Sequence, residues 1–439
     1  MEKKLIGLLL FFLLIGLNAS AQNFREIDTT DYEKRKEWTE FFKKQHESLY
    51  KSFKKEFPRK VRNQVVGIYK SMHDEFLRNL NKKRFIFDER YTSYLDSLTT
   101  KIIEKNPSLK ETPFYFFITK NPTVNAVNAG DGIIILNIGL FRFFKNEAQL
   151  ASVITHEMGH NQLEHVRNSI VEFARFSNSK ANSMMVKRIR NKRYNQYDEA
   201  FKIMKRFAYD EGKDRRQKEM EADSYGFKLY RNMDLPSIEY TNAFRLFQHY
   251  DSLPEIELDT TIYEQFFDLP NQSFQKKWLL KEDFSSYDYS KFTEKINQDS
   301  ILSHPDMDQR IEKLEREFPQ IVNEIPEQRT YNPTFDALKA MAKKEGVINL
   351  YDMEKYGLSI YNILYKLAKE PDNDFYKYWL GENFLAIHKA KKKYQMNRHV
   401  DILRPKDQSP YYQQFLSFLW NLRLEELKVI GEYYTQQNN

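Results

Sequence analysis

His156-Glu157-Met158-Gly159-His160 constrains this 439-residue chain more than any other stretch. Asn146 is a good helix N-cap, and Gln149 three residues later completes the pattern of a capping box. Leu150, Val153, Ile154 and Met158 then keep helical spacing. A helix here sets His156 and His160 one turn apart on one face. Two imidazoles so placed bind one Zn²⁺ at roughly 2.0–2.1 Å each, leaving positions for a third protein ligand and a water. Glu157 stands beside them as the group that takes a proton from that water. Gly159 supports a special role, because a glycine inside a helix costs about 1 kcal/mol against alanine.

A third ligand is expected downstream. Glu219-Met220-Glu221-Ala222-Asp223 begins 59 residues past His160 and puts Glu219 and Asp223 four apart, on one helix face. One carboxylate would ligate the metal while the other accepts a hydrogen bond from a ligand imidazole. Glu221 competes with Glu219 on composition alone, and the segment also reads as a solvated, charged helix face.

These motifs resemble the gluzincin metallopeptidases that include CAAX prenyl proteases, HtpX-type heat-shock proteases and BepA-type periplasmic proteases. That family carries H-E-x-x-H followed by E-x-x-x-D. The resemblance implies His156, His160 and Glu219 as ligands of one zinc ion per chain, Glu157 as catalytic base and Asp223 as the carboxylate behind a ligand imidazole. Upstream, Asn125-Ala126-Val127-Asn128-Ala129-Gly130-Asp131-Gly132 and then Ile133-Ile134-Ile135-Leu136 resemble the family's turn and strand beside the active-site helix. Downstream, Ser303-His304-Pro305 with Arg310-Ile311 resembles its H-P…R-I segment. There His304 would either hydrogen-bond the oxyanion during turnover or fill the fourth zinc position and keep water out. The likeness covers residues 85–318. It departs in the turn, where the family's proline and paired glycines are replaced by residues 128–132. It departs also from the membrane-embedded branches, because no internal apolar span is present, which puts the chain nearest the soluble exported BepA-type branch.

The implied fold is α+β and mostly α-helical. A zincin-type metallopeptidase domain is expected over residues 85–325, with a small β-sheet beside the active-site helix. Helical regions at 22–84 and 326–439 flank it. Substrate is expected to lie extended along strand 132–136, with Gly132, Ile133, Ile134 and Ile135 offering main-chain hydrogen bonds at a sheet edge. That model requires an outer strand.

The two ends bound where such a protein works. Lys3 and Lys4 precede thirteen mainly apolar residues, 5–17, and Ala19-Ser20-Ala21 offers a cleavage site before Gln22. This reads as an export signal over residues 1–21; the apolar run is short for a spanning helix, which needs about twenty residues. Export to a bacterial periplasm follows, with no transmembrane domain after cleavage. No cysteine occurs anywhere, so disulfides are excluded. The formal charge of +7 is small beside 69 basic and 62 acidic groups, which argues against a nucleic-acid partner. The basic run 187–194 reads as part of a solvated helical cover between the two metal motifs.

Residues 31–83 carry two amphipathic stripes separated by Pro58, suited to packing on the peptidase domain. Residues 332–439 are helical by pattern, and Pro371, Leu380, Gly381 and Phe384 fit the register of a 34-residue tetratricopeptide repeat. A degenerate repeat and a plain helical appendage both fit, and either could dock an envelope-protein partner. The expected activity is that of an exported zinc metalloendopeptidase acting on envelope or misfolded proteins. The alternative is an envelope chaperone or assembly factor whose helical ends bind clients.

Overall fold

The computed structural model describes residues 27, 31–180, 184, 196–250, 257–280, 307–323, 332–404 and 408–436. The export segment 1–21, the basic run 187–194 and His304 lie outside the described residues. Two long helices come first, α1 (Tyr32–Glu56) and α2 (Arg59–Asn81), separated at Pro58, which lacks the N–H a continuous helix would use. Strand β1 (Phe85–Ile86) leads into α3 (Glu89–Lys105), whose N-cap Asp88 accepts the Arg90 N–H at 3.0 Å. Strands β2 (Tyr115–Thr119), β3 (Ala126–Asn128) and β4 (Ile133–Asn137) follow.

The sheet runs in the order β1-β2-β4-β3, with β2 and β4 parallel and both outer pairs antiparallel. Alternation along the strands divides its faces. Ile118, Ile134 and Leu136 join α3 in the main core, whereas Phe117 and Ile133 meet Phe42, Phe76 and Leu80 of α1 and α2. The N-terminal helical pair is thereby bound to the sheet.

This order corrects one expectation. β4 is an interior strand, paired on both sides, so residues 132–136 present no open edge. Gly132 donates its N–H to the Asn161 side chain at 3.0 Å, and its carbonyl accepts the Tyr115 N–H at 2.8 Å. Ile134 is wholly buried. Gly132, Ile133, Ile134 and Ile135 therefore cannot take a substrate by strand addition. The outer strand nearest the two motifs is β3.

Among the described residues seven helices follow: α4 (Ile138–Phe143), α5 (Glu147–Gln162), α6 (His165–Ser177), α7 (Gln196–Tyr230), α8 (Ile238–Tyr250), α9 (Thr261–Phe267) and α10 (Met307–Glu317), of which α5, α6, α7, α8 and α10 line the site. The chain continues through α11 (Pro333–Asp352), α12 (Tyr356–Leu367), α13 (Asp374–Lys392), α14 (Pro410–Asn421) and α15 (Leu424–Gln436). The mostly helical α+β expectation holds.

A second core joins Tyr263, Phe267 and Trp278 to Ile360, Phe384 and Phe418. Residues 257–280, expected with the peptidase domain, thus pack on the C-terminal helices. Helix α11 bridges the two cores: Phe335 and Leu338 belong to the first and Val347 to the second. Leu380 and Phe384 are wholly buried within the second.

Candidate active site

Helix α5 begins as its sequence directs. Asn146 Oδ1 accepts the Gln149 N–H at 3.0 Å, and Gln149 Oε1 accepts the Lys145 N–H at 2.7 Å. The return bond falls one residue earlier than in the usual capping box. From Ala148 to Gly159 every residue is buried, so the helix is enclosed on all faces. Helix α7 crosses it at two glycines. A Cβ on Gly159 would stand 2.9 Å from the Ala222 carbonyl oxygen, and one on Gly226 would stand 2.8 Å from His156 Cα and 2.6 Å from Tyr240 Oη. Only hydrogen fits at either position. The close crossing brings the Glu219–Asp223 face of α7 against the histidine face of α5.

His156 Nε2 and His160 Nε2 lie 3.1 Å apart. Glu219 Oε2 is 3.6 Å from the first, and Oε1 is 3.4 Å from the second. The corners of a tetrahedron about zinc, with bonds of 2.0–2.1 Å, are separated by roughly 3.3–3.4 Å. The two imidazoles and the Glu219 carboxylate, with one oxygen toward each ring, therefore stand close to that spacing. Among the described residues, His156, His160 and Glu219 form the group that could hold a metal ion.

The electrostatics match the geometry. His156 Nδ1 lies 2.8 Å from Asp223 Oδ1. Arg310 grips the same carboxylate in fork fashion, Nε donating to Oδ2 at 2.7 Å and Nη2 to Oδ1 at 2.6 Å. Its Nη1 stands 3.2 Å from Glu219 Oε2. Two carboxylates and one guanidinium leave a net negative charge in a buried setting. Burial alone would lower the His156 pKa, but Asp223 and Glu219 override it and raise it to about 10. Burial would likewise raise the Glu219 carboxyl, yet the two histidines and Arg310 hold it well below its ordinary value. The two carboxylates thus favour positive charge at this place, and a nitrogen, nitrogen and oxygen donor set fits zinc.

Glu157 is 7% exposed and lines the same cavity of about 230 Å³ as the three donors. Its main-chain carbonyl accepts the Asn128 side-chain amide at 2.9 Å, tying α5 to β3. Val127 pairs with Ile135, Asn137 donates its N–H to the Asn125 carbonyl, and Ala129 donates to that of Ile133. Antiparallel alternation therefore turns the Ala126 carbonyl and the Asn128 N–H toward the open edge. A second cavity of about 600 Å³ adjoins the first at Asn128 and His160; Gly132 and Ile133 lie in its wall.

The structure thus brings His156, Glu157, His160, Glu219 and Asp223 together and leaves residues 134–135 away from the cavity. Two members were not anticipated in their roles. Arg310 is a buried counter-ion, which its charge alone did not announce. His165 sits with Nδ1 2.9 Å from His160 Nδ1 and Nε2 3.3 Å from Glu221 Oε2. Its ring returns to the site because Glu164, at φ 52°, turns the chain between α5 and α6. Glu221, weighed as a rival ligand, faces His165 instead.

The model of peptidase family M48 matches residues 89–318, just over half of the chain. The chain is 38% identical over 85 residues to a beta-barrel assembly-enhancing protease of Escherichia coli (strain K12), a stretch that is 19% of this chain and 17% of that one. It is 33% identical over 92 residues to the protein of that name in Yersinia pestis, covering 21% and 19% respectively. The matched stretch is thus about a fifth of each relative's length.

Proposed function

The chain belongs to peptidase family M48 and is a metallopeptidase, and from that premise we propose that it is a zinc-dependent endopeptidase exported to the bacterial envelope, hydrolysing peptide bonds in envelope or misfolded proteins. The observation that carries this reading is one cavity holding three donors at tetrahedral spacing, a carboxylate beside them and the free edge of β3. Zn²⁺ bound by His156, His160 and Glu219 would supply a Lewis acid able to bring the pKa of water to about 7. Glu157 takes the proton from the attacking water and returns it to the departing amine. Asp223 secures the His156 ring through Nδ1, so that Nε2 faces the ligand side. Arg310 keeps both carboxylates ionised.

Substrate lies along β3, accepting a hydrogen bond from the Asn128 N–H and donating one to the Ala126 carbonyl. A strand laid there passes the site in mid-chain, which favours internal cleavage. His304 would serve as a further residue holding the metal at rest, with an oxyanion donor as the other role. Activity that rises on His304→Ala supports the first, and a drop of about 10²–10³ in kcat supports the second.

Export rests on residues 1–21, and among the described residues no helix is long and apolar enough to cross a membrane. The relatives' name suggests unfolded β-barrel proteins as the substrates to try, and the C-terminal helices would offer a surface for an envelope-protein partner. Purified protein should hold one zinc per chain and cleave an unfolded β-barrel protein. Chelation should stop cleavage and added zinc restore it. Failure of the zinc-loaded protein to cleave any of a panel of unfolded envelope proteins would overturn the proposal.

A further inference from the structure

We propose that His165 and Glu221 form a positioning relay that orients His160 from behind. This rests on the zinc reading above and deepens it. A ligand imidazole that offers Nε2 to a metal keeps its proton on Nδ1, and that N–H needs an acceptor. For His156 the acceptor is Asp223, at 2.8 Å. For His160, the nearby group is His165 Nδ1, at 2.9 Å. Two imidazole nitrogens at this distance require one to donate and the other to accept. Since His160 Nε2 faces Glu219, its Nδ1 donates and His165 Nδ1 accepts. The His165 proton then sits on Nε2, directed at Glu221 Oε2 3.3 Å away. The hydrogen bonds run from His160 through His165 to Glu221, the final acceptor.

Burial and local structure hold the relay in place. His165 is 6% exposed, and its position at the start of α6 is set by the left-handed turn at Glu164. Gln217, one turn before Glu221 on α7, donates its side-chain amide to Glu221 Oε1 at 2.9 Å, leaving Oε2 for His165. The two zinc histidines are therefore held differently. His156 leans on a buried carboxylate fixed by Arg310, whereas His160 leans on a neutral ring backed by a carboxylate at the surface.

Three substitutions test the assignment in the full-length protein. His165→Phe fills the space and removes the acceptor. His165→Asn places an amide oxygen near the former Nδ1. Glu221→Gln keeps the shape and removes the charge. Zinc affinity is read by competition with a chromophoric chelator, with the visible spectrum of the cobalt-loaded protein and the Tm of the zinc-free form alongside. His165→Phe should weaken zinc binding by about 10–100-fold and shift the cobalt spectrum, with little change in the zinc-free Tm. His165→Asn should stay within a few-fold of the unsubstituted protein, and Glu221→Gln should fall between the two. Unchanged affinity in His165→Phe would refute the relay, as would equal losses in His165→Phe and His165→Asn that follow the Tm. An unsubstituted protein that binds no zinc would instead remove the metal reading itself.

Discussion

At Glu157 the distinction between holding a metal and using it becomes measurable. This residue lines the cavity but stands outside the group of three donors. Glu157→Gln should therefore keep stoichiometric zinc while cleavage drops by about 10²–10⁴, the range for losing a general base. Retained cleavage would assign the base elsewhere. Glu219 and Glu221 offer the sharper contrast, since they are two residues apart and differ in what they face. Glu219→Ala removes a donor and should cost more zinc affinity than the ~10–100-fold expected behind the ligands. Glu221→Ala should cost no more than that range. A larger loss at Glu221 than at Glu219 would show that the ligand set is wrongly drawn.

Elements impose their own requirements, and the α5–α7 crossing is the strictest. Gly226→Ala puts a methyl group within 3 Å of His156 backbone atoms and Tyr240 Oη. Overpacking of this kind costs about 1–3 kcal/mol. Here relief would come by moving the two helices apart, so Gly226→Ala should lower both Tm and zinc affinity. Gly67→Ala in α2 is the control: a Cβ there meets nothing within 4 Å, and helix propensity predicts a gain of about 0.5–1 kcal/mol. A Gly226→Ala protein with unaltered zinc affinity would contradict this account of the crossing.

The N-terminal helical pair carries a different signature. His46 of α1 stacks on His73 of α2 with ring centroids 3.4 Å apart, and its Nε2 meets no hydrogen-bond partner among the described residues. Burial, then the neighbouring His73, lower its pKa from 6.5 to about 4, against the opposing pull of Asp131 and Asp74. A depressed histidine pKa favours the neutral form in the fold. Its stabilisation is present above pH 6.5 and is lost as pH falls from there through about 4. The loss should be on the order of 2 kcal/mol. His46→Phe keeps a stacked ring without the titration, so acid denaturation monitored on α1 and α2 should become shallower. An identical acid limb in both proteins would exclude His46 as its source.

Across the whole molecule, the C-terminal helices are part of the catalytic body. Helix α11 buries Phe335 and Leu338 in the peptidase core, and Glu345 accepts the Ile27 N–H at 2.7 Å across 318 residues of sequence. In the other direction Tyr263, Phe267 and Trp278 are buried in the second core. Removing residues 332–439 would expose Tyr263, Phe267 and Trp278, together with Tyr94 and Phe141 against which Phe335 packs, at about 2 kcal/mol per large side chain. The sum is comparable with the entire net stability of a domain, about 5–15 kcal/mol. A chain ending at residue 331 should therefore be insoluble or unfolded, as read by circular dichroism and by its zinc content. A soluble, zinc-binding and active fragment would show that the two cores are independent.

What the sequence determined by itself was whatever depends on short spacings. Two histidines four apart, two carboxylates four apart, and Asn146 with Gln149 at a helix start are local, because helical geometry fixes their faces whatever the rest of the chain does. The two amphipathic stripes of residues 31–83, one carrying Phe42 and the other Phe76 and Leu80, were legible for the same reason. Only the tertiary structure decided which strand was outermost, since residues 133–136 are apolar enough for either place and pairing order is not written in a strand's own composition. It also decided the partners of buried polar side chains. Arg310 lies 87 residues from Asp223, and His165 reaches Glu221 across 56. Neither distance obeys a local period. Gly226 belongs with them: its missing side chain has meaning only because His156 comes to lie against it.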